Sequence, residues 1–250
     1  MKPVLFELGG LELTSYGASK ALAALVAWVM LASELRRRGR DPEHAYFLVL
    51  WALLGGFAGA KLYYLAEHAG SLSLHELGGT GFTWFGGLLG GAAATAVVAR
   101  KQGIPLGLMA GMAAAPLAVA YGVGRLGCLL AGDGTYGTPS DLPWAMSFPE
   151  GTVPTLERVH PTPLYEAIAA FLVGALLWRL RLLLAPLALF ALYAVLMGIS
   201  RILVEFIRLN DEVVLGLSQP QLWSFAVVAL GLLLAWRAER VPNRLFWSTS

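Results

Sequence analysis

Lys61, Arg125, Glu166, Arg201 and Glu205 each stand within or at the end of a long apolar run, where a solvated charge has no place. An ionisable group held in hydrocarbon costs at least about 2.5–3.5 kcal/mol on insertion scales, so such a residue defaults to a functional reading. Arg201 and Glu205 are spaced i and i+4, which puts them on one helical face, with Arg208 another turn along the same stripe. That spacing leaves two readings open: a pair that neutralises itself, or one wall of a site. Arg125 has no acidic residue within a helical turn or two, so its partner must come from another helix or from an anionic ligand. Two guanidinium groups near the ends of different apolar runs suit the clamping of a phosphate. The group is planar, permanently charged and donates bidentate hydrogen bonds.

Other chemistries fit less well. Gly122-Val123-Gly124-Arg125-Leu126-Gly127 is literally G-x-G-x-x-G. A dinucleotide site needs a strand before it and a βαβ unit around it, and a continuous apolar stretch offers neither. Asp133 lies between Gly132 and Gly134, without the alternating oxygen ligands of a calcium loop. His44, His68, His75 and His160 have no metal-ligand spacing and no cysteine near them, so no metal is expected. Cys128, the single cysteine, reads as a small buried apolar residue rather than a nucleophile.

The elements that must position these charges follow from composition. Of 250 residues, 57% are hydrophobic and 14% charged, and the mean hydropathy is +0.66. One globular core cannot bury that excess, which excludes a soluble enzyme; the lone cysteine excludes a disulfide scaffold. A net charge of +2 is too balanced for a nucleic-acid binder. Leu77 to Ala99, Ile104 to Gly124, Leu182 to Ser200 and Val213 to Trp236 contain no charged residue. Ala21 to Ser33 and His44 to Ala60 reach spanning length with a flanking residue, and Val159 to Trp178 carries only Glu166. Roughly 20 apolar residues cross the hydrocarbon as a helix, and these runs are too long and too continuous for barrel strands. The expectation is an all-α integral membrane protein with about seven transmembrane helices. In such a setting the abundant anion is a phospholipid headgroup.

Charge placement orients the bundle. Arg36, Arg37, Arg38 and Arg40, then Arg100 and Lys101, then Arg179 and Arg181, then Arg237, Arg240 and Arg244 all fall on alternate connections. That side is cytoplasmic, which puts the N-terminus outside and the C-terminus inside. Residues 1–250 read as a single polytopic membrane domain, with an extracytoplasmic loop around 131–161 rich in Gly, Pro and Thr. Loops beyond about 12–15 residues without structure of their own tend to be functional, which makes this one a candidate lid. Gly55, Gly56, Gly59, Gly90, Gly91, Gly107 and Gly111 sit at helical spacing inside apolar segments, as close helix packing requires. Adjacent Gly86 and Gly87 are read apart from these, as a break in a helix or an opening for a ligand against the backbone.

Gly124-Arg125-Leu126-Gly127, followed by a polar turn with Asp133, looks like the signature of the bacterial prolipoprotein diacylglyceryl transferase family, and several other stretches resemble that family in order. Tyr16-Gly17 precedes the first span, Gly55 to Tyr64 resembles a G-x-x-G-x-R-L-x-Y segment, and Phe85-Gly86-Gly87-Leu88 resembles H-G-G-L. His160 to Glu166 is close to H-P-[ST]-Q-L-Y-E, Arg201 with Glu205 matches a late R-x-x-x-E, and Gly216 to Gln221 resembles the lead into the last helix.

The resemblance implies an enzyme of the bacterial cell (inner) membrane, multi-pass, acting at the outer leaflet. Its reaction moves diacylglyceryl from phosphatidylglycerol to the thiol of a lipobox cysteine in a prolipoprotein, forming a thioether and releasing glycerol phosphate. The implied partners are phosphatidylglycerol, the lipobox peptide and membrane lipids, with no nucleic acid and no cofactor. Arg125, Arg201, Glu205 and His160 are the implied catalytic residues; Tyr16, Gly86, Gly87, Asp133 and Arg208 are the implied substrate-binding ones. Departures are concentrated in acid–base positions. The motif histidine is Phe85, the signature's asparagines are Cys128 and Ala131, its glutamate is Asp133, and its closing glycine comes one residue late at Gly137. The base is then His160, Glu205, or none, with positive charge alone stabilising a thiolate. The alternative is a catalytically silent paralogue that binds or moves anionic phospholipid.

Orientation is open to direct measurement. A cysteine label at Arg38 or Arg240 is expected to react only once the inner side is opened, and one at Ser140 to react from outside. Reversed accessibility in intact cells overturns the assignment.

Overall fold

The computed structural model describes residues 3–9, 11–68 and 81–240. Seven helices run through them: α1 (Ser15–Arg37), α2 (His44–Glu67), α3 (Trp84–Lys101), α4 (Leu106–Ala131), α5 (Thr162–Leu180), α6 (Pro186–Glu205) and α7 (Gln219–Arg240). Three two-stranded antiparallel hairpins punctuate them: β1–β2 (Val4–Leu8, Leu11–Thr14), β3–β4 (Met146–Phe148, Thr155–Val159) and β5–β6 (Glu212–Val214, Leu217–Ser218). Six of the helices are long and apolar enough to cross a membrane. The seventh is α3, diluted by four glycines and closed by Arg100 and Lys101.

Helix ends follow local chemistry. Gly39 and Gly103 adopt left-handed φ values of 66°. Beyond each, the next amide returns across the turn, Arg40 N–H to the Leu35 carbonyl at 3.0 Å and Ile104 N–H to that of Ala99 at 2.8 Å. This is the glycine stop that satisfies the last helical carbonyls. Prolines near the first residues start α5 and α6, where a missing N–H costs nothing.

Three expected boundaries move. The run ending at Gly124 continues as α4 to Ala131, so Arg125 lies inside a helix rather than at its end. The run from Val213 does not open as a helix. Leu215 (φ 54°) and Gly216 (φ 73°) turn it into β5–β6. α7 then starts at Gln219, where the Ser218 N–H donates to Gln221 Oε1 at 3.0 Å, a capping-box contact. The beginning of the Leu77 run lies outside the described residues. Tyr16, expected ahead of the first span, is in the first turn of α1.

The chain divides into two units, Trp28–Met109 and the remainder, Met1–Ala27 with Ala110–Ser250. In the first, α2 and α3 meet through glycine. A Cβ at Gly59 would run into the Gly86 carbonyl, one at Gly86 into the Gly59 carbonyl and Tyr63, and one at Gly90 into the Gly55 carbonyl. Each helix contributes glycines four residues apart, so the backbones approach as small-xxx-small faces allow. α3 runs unbroken through Gly86 and Gly87. The reading of that pair as a helix break is therefore corrected: it serves contact with α2.

In the second unit, Gly127 of α4 has no room for a side chain beside Ser19 of α1, Gly122 packs under Phe171 of α5, and Gly198 of α6 lies against Val228 of α7. The segment from 131 to 161, expected as an irregular loop, has a core of its own. Tyr136 stacks on Phe148 with ring centroids 4.0 Å apart, and Val159 completes the cluster. Burial pushes the Tyr136 phenol pKa up, and its hydroxyl donates to the Val153 carbonyl at 2.9 Å. Arg158 donates to the carbonyls of Leu142, Pro143 and Ala145, closing the turn before β3.

The glycine contacts set a graded expectation. Gly86→Leu and Gly59→Leu should destabilise the protein by about 1–3 kcal/mol, as overpacking does. Gly124→Ala, with nothing within 4 Å of its Cβ position, should stay within about 0.5 kcal/mol. Thermal unfolding in detergent orders the three variants.

Candidate active site

The charges flagged in the sequence converge on one carboxylate. Glu166 lies in the second turn of α5, after the Pro161–Pro163 start, and its side chain is 2% exposed. Its Oε1 accepts from Arg201 Nη1 of α6 at 2.6 Å and from the Tyr121 hydroxyl of α4 at 2.8 Å. Its Oε2 faces Arg125 Nε of α4 at 3.2 Å and Arg208 Nη1 at 3.4 Å. Tyr121 and Arg125 are four apart on α4, and Arg125 Nε also donates to the Tyr121 hydroxyl at 3.0 Å.

Glu205 is the second carboxylate, at the last turn of α6. Its Oε2 meets Arg201 Nη2 at 2.8 Å and stands 3.8 Å from Arg208 Nε. Its Oε1 accepts from the Ser218 hydroxyl at 2.7 Å and from the Asn210 side-chain amide. The i, i+4 pair of Arg201 and Glu205 does form, and it belongs to a larger network. Three guanidinium groups share two carboxylates, which leaves one positive charge in excess. The arginines differ in access: the side chains of Arg125 and Arg201 are 17% and 20% exposed, that of Arg208 9%. The excess is therefore reachable at Arg125 and Arg201. An anion approaching there meets preorganised donors in a partly dehydrated setting, where each is worth more than in water.

The segment from 131 to 161 is bound to the same helix ends. Thr138 N–H donates to the Ile207 carbonyl at 2.8 Å, Gly137 bridges to Arg208, and the Thr162 hydroxyl donates to the Thr135 carbonyl at 2.6 Å. A Cβ at Gly137 would collide with the Ile207 carbonyl, His160 and Thr162. Glycine is therefore needed where the chain passes between the start of α5 and the end of α6.

The remaining expected residues stand elsewhere. Asp133 is turned into its own loop, accepting from the Thr135 amide at 3.1 Å and hydroxyl at 2.6 Å. His160 Nδ1 is 3.3 Å from the Tyr165 hydroxyl, which also accepts from Trp144 Nε1 at 2.7 Å. Among the described residues no hydrogen bond or ion pair joins His160 to the arginine–glutamate network. Tyr16 is exposed, with Lys20 Nζ 4.3 Å from its ring centre. Gly86 and Gly87 lie in the other unit, against α2, as does Lys61, whose ammonium sits over the rings of Tyr64 and Phe82. Cys128 is buried and free, its Sγ 3.9 Å from Arg125 Nη1. Sequence reasoning missed Tyr121 and the central place of Glu166. The available signal was an acid inside a span together with an arginine lacking a local partner.

Long apolar helices that keep cations in excess of carboxylates between α4, α5 and α6 define the class: a polytopic helical membrane protein with a buried cationic site. The family model for prolipoprotein diacylglyceryl transferase matches residues 3–237. A phosphatidylglycerol–prolipoprotein diacylglyceryl transferase of Clostridium tetani (strain Massachusetts / E88) is 34% identical over 240 residues, 93% of this chain and 96% of the relative. One from Frankia alni is 32% identical over 249 residues, 94% of this chain and 65% of the relative. One from Synechococcus elongatus is 33% identical over 253 residues, with shares of 94% and 86%. The chain belongs to the prolipoprotein diacylglyceryl transferase family.

Removing the central carboxylate leaves three guanidinium groups against one. Glu166→Gln should destabilise by about 3–5 kcal/mol, the cost of breaking a buried pair. Tyr121→Phe should cost about 1.5–3 kcal/mol, the value of a hydrogen bond to a charged group. Melting temperatures in detergent should fall in that order.

Proposed function

We propose that the protein transfers diacylglyceryl from phosphatidylglycerol to the cysteine thiol of a prolipoprotein lipobox, at the outer leaflet of the bacterial inner membrane. The observation that carries this reading is the excess of three guanidinium groups over two carboxylates between α4, α5 and α6. Membership of the family and the activity for which its relatives are named supply the substrate class. The charge-based orientation, with the N-terminus outside and residues 131–161 extracytoplasmic, puts that cluster toward the outer leaflet. Residues 1–250 are read as one membrane domain.

In this mechanism the lipid phosphate approaches Arg125 and Arg201, the two arginines with exposed surface. The cysteine sulfur forms a bond to the glycerol carbon, the carbon–oxygen bond to phosphate breaks, and its electron pair leaves on glycerol phosphate. Negative charge grows on the leaving oxygens, and fixed guanidinium groups stabilise it without reorganising. The thiol proton must also leave. Phe85, at the family's histidine position, cannot take it. Glu205 is already engaged by Arg201 and by the Ser218 hydroxyl. In the reading we prefer, positive charge stabilises the thiolate and its proton passes to water, with His160 as the remaining candidate base. Arg208, tied to both carboxylates, holds the other two arginines in register.

Purified protein, phosphatidylglycerol vesicles and a lipobox peptide, read by mass shift, test the activity. Arg125→Ala and Arg201→Ala should each lower transfer by about 10²–10³-fold, as loss of a preorganised donor does. Lysine at either position should restore only part of it, having a point charge without the fork. Full transfer in both alanine variants rules out the clamp. The same assay across pH decides the role of a base. If phosphate stabilisation dominates, native protein turns over and Phe85→His changes the rate far less than the about 10²–10⁴-fold that general base catalysis supplies. No native transfer with clear turnover in Phe85→His reverses that ranking. Lipid binding with no turnover in either selects the silent paralogue.

A further inference from the structure

The link from α6 to α7 exposes large apolar side chains where a solvated turn is normally polar. α6 has 20 residues, which at about 1.5 Å each cover about 30 Å, the thickness of the hydrocarbon layer. The chain beyond Glu205 therefore starts at headgroup level. Phe206, Leu209, Val213, Val214 and Leu215 are all exposed there, Leu215 by 94%. They continue the bare apolar side that Leu203 presents on α6. Every residue of β5 is exposed, Val213 and Val214 included.

The turn makes the same point by a separate route. Leu215 and Gly216 have φ of 54° and 73°, and Leu215 is the one non-glycine residue with positive φ among the described residues. Two left-handed residues at a hairpin tip ordinarily call for Asn-Gly or Asp-Gly. Leucine here is strained by its backbone and bare in water, and both effects disfavour it in an aqueous turn. Removal from water is the setting in which the choice gains something.

We infer that the β5–β6 tip, Val213 to Gly216, inserts into the interfacial layer of the bilayer. The partner is lipid at the boundary between headgroups and acyl chains. Exposed Asp211 and Glu212 at the hairpin base stay on the watery side and limit the depth. The insertion anchors the link whose Asn210 and Ser218 hold Glu205, so it steadies one wall of the cationic site. This inference depends on the membrane-spanning helices and not on the proposed transfer reaction.

The test uses full-length protein on a Cys128→Ser background. Leu215→Cys and Asp211→Cys are each labelled with an environment-sensitive nitrobenzoxadiazole dye. They are reconstituted into phosphatidylcholine–phosphatidylglycerol vesicles with iodide in both compartments. At 215 a blue-shifted emission, a loss of iodide quenching and strong quenching by lipids carrying a nitroxide near the headgroup are expected; at 211 iodide quenching persists. Equal iodide quenching at the two positions overturns the inference. Shielding from iodide without nitroxide quenching overturns it as well, because protein rather than lipid then covers the tip. Should Leu215→Cys fail to fold, Val214→Cys reads the same layer from the adjoining residue and is judged by the same two criteria.

Discussion

A carboxylate shared among three arginines is the interaction on which the α4–α5–α6 assembly depends. Each of those charges is expensive inside an apolar layer, and none finds adequate compensation on its own helix. Arg125 has no local acid, Glu166 has no local base, and Arg201 has Glu205 but also a second guanidinium nearby in Arg208. Bringing the helices together converts these separate costs into one network. Glu166 is the member common to all three arginines, and Tyr121 extends it by a hydrogen bond at each side. The network orders the helices because any displacement leaves a buried charge without its partner.

The same network has a consequence for ligand choice. A cluster with equal numbers of cations and carboxylates would be complete, and a neutral ligand would suit it as well as any. Here the count is odd. The surplus charge is accessible at Arg125 and Arg201, whose side chains are 17% and 20% exposed, while Arg208 is packed under the loop that bridges to it at Gly137. On the proposed reading, selectivity for an anion would come from composition and its place of entry from packing. Neither would require the ligand to expel Glu166. It would have to offer more to the exposed edges of two guanidinium groups than water does.

What was legible in the sequence reflects the range over which each force acts. Hydrophobic runs announced the helices, since spanning length is a property of contiguous residues. Arg201 and Glu205 were legible as a pair because four residues separate them on one helix. Glu166 was visible as a misplaced acid, but its partners come from α4, α6 and the segment after α6. Nothing in a contiguous window says which helices will be neighbours. The Gly86-Gly87 pair misled for the reason that glycine serves two opposed ends. It loosens a backbone in isolation and tightens a helix interface when a second glycine face is present, and the face at Gly55 and Gly59 decided the outcome. Val213 to Leu215 read as helix because an apolar run carries no record of its backbone. The left-handed turn at Leu215 and Gly216 emerges only when Ser218 caps α7 and fixes where the helix begins.

Asp133 and Gly137 show how two residues of one polar motif shape the backbone around the cluster. Asp133 spends its carboxylate on the Thr135 amide and hydroxyl, shaping the turn that sends the chain toward Gly137. Gly137 admits the chain between Ile207, His160 and Thr162, and the backbone there joins Arg208. A polar, glycine-rich motif next to an arginine invites a reading in which each member touches ligand. In this structure the turn after α4 also fixes the end of α6, through Thr138 N–H to the Ile207 carbonyl and the bridge from Gly137 to Arg208. Phe85 can be understood in the same terms. Under the proposed transfer, a position drawn from acid–base chemistry would tolerate loss where the barrier is governed by charge on the leaving group, because the arginines that would meet that charge are held by Glu166 and Glu205.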